Sequence, residues 1–218
     1  MGAGQVLSKL FESFSLSNPA WEFMWVLLIL FAWMCTIVIE RFISVYVIAN
    51  VNADRFMAEI RKMVQAGDYR KAINLCKTAG KRALPNVIMA ALVEAERREL
   101  IDFRAVQNAL DEKTLEVLPE LNKRMLVLGM IGNVSTLIGL MGTIFGLIIS
   151  FEAASVTGAG TGDLAAGISA AMLTTLGGLI VAVPAIMAYT FLNAKINAII
   201  EDIDEHSVKL IHLLTGGR

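Results

Sequence analysis

Polar punctuation disappears from the chain in three places. Residues 23–39 (FMWVLLILFAWMCTIVI) run seventeen positions without a charge, residues 125–151 twenty-seven, and residues 164–194 thirty-one. Seventeen is the lower limit for a helix crossing a hydrocarbon layer of about 30 Å. The other two runs reach roughly 40 and 46 Å as helices at 1.5 Å per residue, longer than the layer, and helical patterns continue beyond both. Their ends therefore stand out into water. The pattern predicts an all-α integral membrane protein with three transmembrane helices, at 21–41, 125–152 and 164–194, and long helices extending into the cytoplasm. The first run is expected to stay uncleaved: twenty-two residues with the single cation Lys9 precede it, and no small-x-small site closes it.

Between the spans the period is helical throughout. Val6, Leu7, Leu10, Phe11 and Phe14 share one face while Lys9, Glu12 and Ser13 lie elsewhere, so residues 1–20 read as an amphipathic N-terminal segment lying along the outer membrane surface. Residues 42–124 read as a cytoplasmic helical domain, with helices over Ala53–Gln65, over 68–78, and a long one from about Pro85 that feeds the second span. Gly67 and the AGKR turn at 79–82 separate them. Residues 153–163 make a periplasmic loop whose Asp163, after GAGTG, reads as the N-cap of the third span, and 195–218 a cytoplasmic C-terminal helix.

Composition agrees: 56% of residues are apolar and 18% charged, against about 45–50% and 25% in soluble domains. A net charge of −1 leaves no broad cationic surface, so no nucleic acid is expected. Cys35 and Cys76 make no disulfide framework. His206 and His212, about 240° apart on a helix, make no zinc pair, and neither a phosphate loop nor an aspartyl pair is present; no enzyme, metal or cofactor is expected. Fifteen of the nineteen cations lie between residues 41 and 124, with only Lys9 before the first span and none at 153–163. Arg41 and Arg55 on one side and Lys113, Lys123 and Arg124 on the other set the N-terminus outside and the C-terminus inside.

At 100° per residue, Gly132, Ser135, Thr136, Gly139, Gly142, Thr143, Gly146 and Ser150 fall within an arc of about 120°. In the third span Gly167, Ala170, Ala171, Thr174, Gly177, Gly178 and Ala185 share a face, with Thr175 and Ala182 on its edge, while Leu173, Leu176, Leu179, Ile180 and Val183 face away. Small faces let helix backbones approach closely, and packing alone accounts for such stripes. The hydroxyls add a sharper reading. Thr136, Thr143 and Ser150 recur every seven residues, as side chains lining a polar path would, although a lone threonine usually bonds its own helix. Pro184 deprives the Ile180 carbonyl of its donor, and in lipid that carbonyl needs a partner.

No Asp, Glu, Lys, Arg or His lies inside the three runs. Hydroxyls orient or relay a proton but do not hold one near neutral pH, so a carboxylate must come from another subunit. Glu152, just past Phe151, is better explained as a solvated interfacial group.

The segments IGLMGTIFG at 138–146 and GISAAMLTTLGGLIVAVPA at 167–185, with weaker IERF at 39–42 and GDYRKAINLCK at 67–77, resemble the MotA/TolQ/ExbB proton channel family, most closely its ExbB/TolQ branch. The resemblance implies an inner-membrane proton-channel (stator) subunit. It would form a homopentamer enclosing two copies of a single-span partner of the ExbD/TolR/MotB type, whose membrane aspartate takes up and releases protons. Carried over, Thr143 and Thr175 face that aspartate, with Thr174 and Thr136 as supporting pathway residues, while Gly139, Gly142, Gly146, Gly177, Gly178 and Pro184 serve helix packing. Ala170 stands where the branch commonly has a glutamate. The work implied is conversion of proton motive force into motion at the envelope: outer-membrane energisation, transport or gliding motility. A non-conducting membrane scaffold is the rival.

Overall fold

The computed structural model describes residues 3–15, 20–49, 52–80, 82–97, 102–157 and 160–215. Within them the chain is helical: α1 (Ala3–Glu12), α2 (Trp21–Phe42), a π-helical turn (Ile43–Ala49), α3 (Ala53–Gln65), α4 (Tyr69–Thr78), α5 (Ala83–Arg97), α6 (Phe103–Asn122), α7 (Met125–Thr157) and α8 (Thr161–Thr215). No strand occurs among the described residues. Three helices, α2, α7 and α8, are long and apolar enough to cross a membrane. The protein is an all-α membrane protein.

Two units divide the chain. The first holds Met1–Ile39 and Arg124–Thr190. Here α2 buries Met24, Leu27, Met34 and Ile37 while Trp25, Ile29 and Trp33 on its other side stay exposed, the one-sided burial of a helix with lipid behind it. Met24 Sδ and Leu27 lie against the bare backbone of Gly177, and Phe23 packs beside Gly142 and, ring to ring at 5.5 Å, on Phe145. The turn after α1 meets the start of α2 through Phe14, whose ring stands edge-on to Trp25 and whose carbonyl accepts from Trp25 Nε1 at 3.4 Å. The expected apolar stripe of α1 cannot be followed through Val6, Leu7 and Phe11, whose side chains lie outside the described residues.

The second unit holds Glu40–Lys123 and Phe191–Arg218. Its core joins Phe56, Ile60, Ile73, Cys76, Leu84, Ile88, Leu92 and Leu110 to a row on α8, Leu192, Ile196, Ile199, Ile203 and Leu210. That row steps by three and four residues, the spacing that keeps one helix face on a partner. His206 occupies a place in it, 5% exposed, with Nε2 3.9 Å from Asp54 Oδ1. Asn52 caps α3 by accepting from the Arg55 N–H, and Gly67 ends it with φ +77°, the left-handed turn glycine takes without strain.

Two expectations are corrected. The long helix from Pro85 into the second span is instead α5, α6 and α7. Asp102 starts α6 afresh as an N-cap, its carboxylate accepting from the Arg104 N–H. Lys123 then turns extended and Arg124 left-handed, with φ 61°, so α7 begins on its own; no glycine announces that break. Asp163 is not the N-cap of the third span, because α8 starts at Thr161 and the Asp163 N–H already bonds the Gly160 carbonyl at 3.1 Å. Its carboxylate sits in the first turn, where the helix dipole favours an anion.

Candidate functional site: a hydroxyl cluster between two spans

The small faces of α7 and α8 bring the two backbones together. A β-carbon at Gly139 would stand 2.9 Å from the Thr174 carbonyl oxygen and 3.1 Å from Gly178 Cα; one at Gly178 would stand 2.6 Å from the Ser135 carbonyl oxygen. Any side chain at either position would collide with backbone rather than with a flexible tip. Gly142 instead makes room for the Thr174 side chain, and Gly146 for the Ala171 β-carbon. Gly177 faces α2 instead, so the six packing positions do not serve one interface. Pro184 is carried within α8 without ending it.

This close crossing places three hydroxyls on one another. Thr143 Oγ1 lies in hydrogen-bond contact with Thr175 Oγ1 and 3.3 Å from Thr174 Oγ1. All three hydroxyls also reach the Gly139 carbonyl oxygen, at 3.2 Å from Thr143, 3.1 Å from Thr174 and 3.3 Å from Thr175. The Ala171 carbonyl lies 3.2 Å from Thr143 and 2.7 Å from Thr174. Three O–H donors thus meet two carbonyls and one another's lone pairs. Acceptor capacity exceeds donor capacity, so the cluster can accept a hydrogen bond from a neutral acid, and one rotated hydroxyl can donate to an anion.

Reach separates the three. Thr174 is completely buried, whereas Thr143 and Thr175 are half-buried at the margin of the crossing. Thr143 and Thr175 are therefore the two hydroxyls of the cluster with surface open to the outside, and Thr174 lies behind them. Thr136 is not brought into the cluster: it donates to its own helix at Gly132, 3.3 Å away, as Ser150 does to Gly146 at 2.7 Å. The seven-residue row on α7 is therefore a row in sequence that has only one member, Thr143, bonded across to α8. Glu152 is exposed, and no His, Cys, Asp or Glu cluster capable of holding a metal occurs among the described residues.

One participant escaped the reading of residue types. The Gly139 carbonyl is the shared acceptor, and a backbone oxygen leaves no mark in sequence except the missing side chain that uncovers it. Ser135, also fully buried, fills the next turn by donating to Ile131 at 2.6 Å.

Comparison with known proteins gives one consistent result. Residues 80–205 match the MotA/TolQ/ExbB proton channel family. The Tol-Pal system protein TolQ of Haemophilus influenzae is 38% identical over 121 residues, 53% of this chain and 51% of that one. Biopolymer transport protein exbB1 of Vibrio cholerae is 36% identical over 45% of this chain and 43% of its own length. The ExbB of Aquifex aeolicus is 31% identical over 50% of this chain and 72% of its own. The chain thus spans about half the length of the first two. The solved structure of C. jejuni MotAB shares the fold, with a TM-score of 0.57 over 97% of this chain and 74% of that one at 15% identity.

Proposed function

Since the chain belongs to the MotA/TolQ/ExbB proton channel family, a family of energy-transducing membrane subunits in the bacterial inner membrane rather than of enzymes, we propose that it is the stator subunit of a proton-driven envelope machine. Five copies surround two copies of a single-span partner of the ExbD/TolR/MotB kind. The partner's membrane aspartate docks against Thr143 and Thr175. The N-terminus is periplasmic, the 42–124 segment and the tail from residue 195 are cytoplasmic, and the segments 21–41, 125–152 and 164–194 lie in the bilayer. The work is done on the envelope, as the Tol-Pal and biopolymer-transport names of the relatives suggest.

The observation that carries this reading is a polar site without a charge: three threonines gathered at a glycine crossing, inside runs that hold no Asp, Glu, Lys, Arg or His. A bare carboxylate in mid-bilayer costs about 2.5–3.5 kcal/mol or more. Beside these hydroxyls an aspartate has donors when charged and acceptors when neutral, so it can be loaded there and released. Each proton that crosses 100 mV supplies about 2.3 kcal/mol to that cycle.

The test is co-reconstitution with the partner into liposomes carrying a pH difference. Proton flux is expected with the partner's aspartate intact and lost when it becomes asparagine. Equal assembly with no flux in either case would favour a scaffold that uses the same stripes for packing alone.

A further inference from the structure

One amide lies well inside the second uncharged run. Asn133 is exposed on α7, about 12 Å along the helix from Met125, and among the described residues its side chain makes no hydrogen bond. Its neighbours on that face, Met130, Leu137 and Leu140, are apolar and half or more exposed. Lipid tails offer an amide nothing to bond, so this face requires either water or another helix.

A matching defect lies on the opposite flank of the unit. Pro184 has no N–H, so the Ile180 carbonyl loses the donor that any other residue in the middle of α8 would give it. Ile180 and Pro184 are both exposed, Ile180 at 44%, and at 100° per residue they lie on the side of α8 turned away from the Thr174 and Gly178 face that meets α7.

The two defects share one depth. Gly178 of α8 backs onto the Ser135 carbonyl, and a β-carbon on Gly132 would stand 2.7 Å from Ile186 Cγ1 and 3.6 Å from the Ala182 carbonyl oxygen. Gly178 also lies against Gly139, so residues 178–186 run antiparallel beside residues 139–132. The Ile180 carbonyl points along α8 toward its C-terminal end, as helix carbonyls do, which puts its oxygen level with Asn133.

We propose that the Asn133 amide of one copy donates to the Ile180 carbonyl of the next, joining the exposed face of α7 to the Pro184 flank of α8. Donor and acceptor sit on different faces, so the contact is head-to-tail and propagates around a ring, the geometry that closes rather than pairs. Two copies in one bilayer with the same orientation hold both groups at one level without tilting. The proposal rests on the ring reading above and specifies which faces meet.

The experiment compares the full chain, purified in detergent, with Asn133→Leu, Pro184→Ala and the double variant, reading the association of copies by native mass spectrometry across a dilution series. Alanine at 184 restores the N–H and gives the Ile180 carbonyl back to its own helix. Each single change is expected to weaken association about three- to thirtyfold, the range for one interhelical hydrogen bond in membranes. The double variant should fall no further than a single one, because one bond is lost in all three. Wild-type association in both single variants, or losses that multiply in the double, overturns the contact while leaving the ring standing; a monomeric parent chain overturns both.

A second readout uses membranes and a background with Cys35→Ser and Cys76→Ser. Asn133→Cys with Pro184→Cys should give disulfide-linked species larger than dimers. Absence of such a ladder, or dimers from Asn133→Cys alone, overturns the contact.

Discussion

Valine has nearly the shape of threonine and lacks only the hydroxyl, so the cluster can be dismantled atom by atom. Thr143→Val removes the hydroxyl that touches both others, and Thr175→Val removes the second reachable one. Each should leave assembly intact while reducing proton flux in the reconstituted complex, and the double variant should abolish it; full flux in the double variant would remove both residues from the path. Thr174→Val should behave differently. Its hydroxyl is fully buried and bonds the Ala171 and Gly139 carbonyls, so its loss should lower thermal stability by about 1 kcal/mol and affect flux less than Thr143→Val does. In the second unit, burial pushes the Cys76 thiol up from 9.0 to about 12. A raised folded-state value means the stability it contributes is complete below the unfolded thiol's value and is lost as pH climbs from about 9 toward 12. Chemical denaturation of the full chain at pH 8 and pH 10.5 should show the decline, and Cys76→Ala should flatten it. Native Cys76 should also resist maleimide at pH 8, where only the thiolate reacts.

At the scale of elements, the α7–α8 crossing is the joint on which the cluster depends. Gly178→Val would drive a side chain into the Ser135 carbonyl, 2.6 Å from its first carbon. Backbone cannot step aside as a side-chain tip can, so the cost should exceed the 1–3 kcal/mol usual for overpacking, and the melting temperature of the purified protein should fall sharply. Gly162→Ala, with nothing within 4 Å of the added carbon, should be close to neutral and serves as the control. Much of this joint is legible in the sequence, because small residues recurring every three or four positions can only mean close approach. The three spans and α3 are legible for the same reason, a period that one helix face must satisfy. What stays hidden is whatever residue type does not encode. The break at Lys123 and Arg124 is a pair of backbone angles in a stretch with good helix formers. The shared acceptor at Gly139 is a main-chain oxygen. Thr136 and Ser150 look equivalent to Thr143 on a wheel, yet they bond their own helix, because only at Thr143 does α8 present hydroxyls across the gap.

For the whole molecule the decisive property is that its spans carry polarity without charge. The uncharged runs carry hydroxyls, the Cys35 thiol and the amides of Asn133 and Asn193, but no Asp, Glu, His, Lys or Arg to take up and release a proton across the pH range of the two compartments. A proton entering alone would be an unpaired charge in a layer of low dielectric, and no side chain on the path could take it. The chain alone is therefore expected to keep a liposome's pH difference intact, whatever the imposed voltage, and to conduct only when a second polypeptide lends its carboxyl group. A pH-sensitive dye trapped in the vesicles measures this directly. Collapse of the gradient by the chain alone, at a rate comparable to that of the complex, would mean that water threaded the α7–α8 margin and carried protons past Thr143 and Thr175 without any acid to hold them. The hydroxyl cluster would then be a wetted seam rather than a docking place.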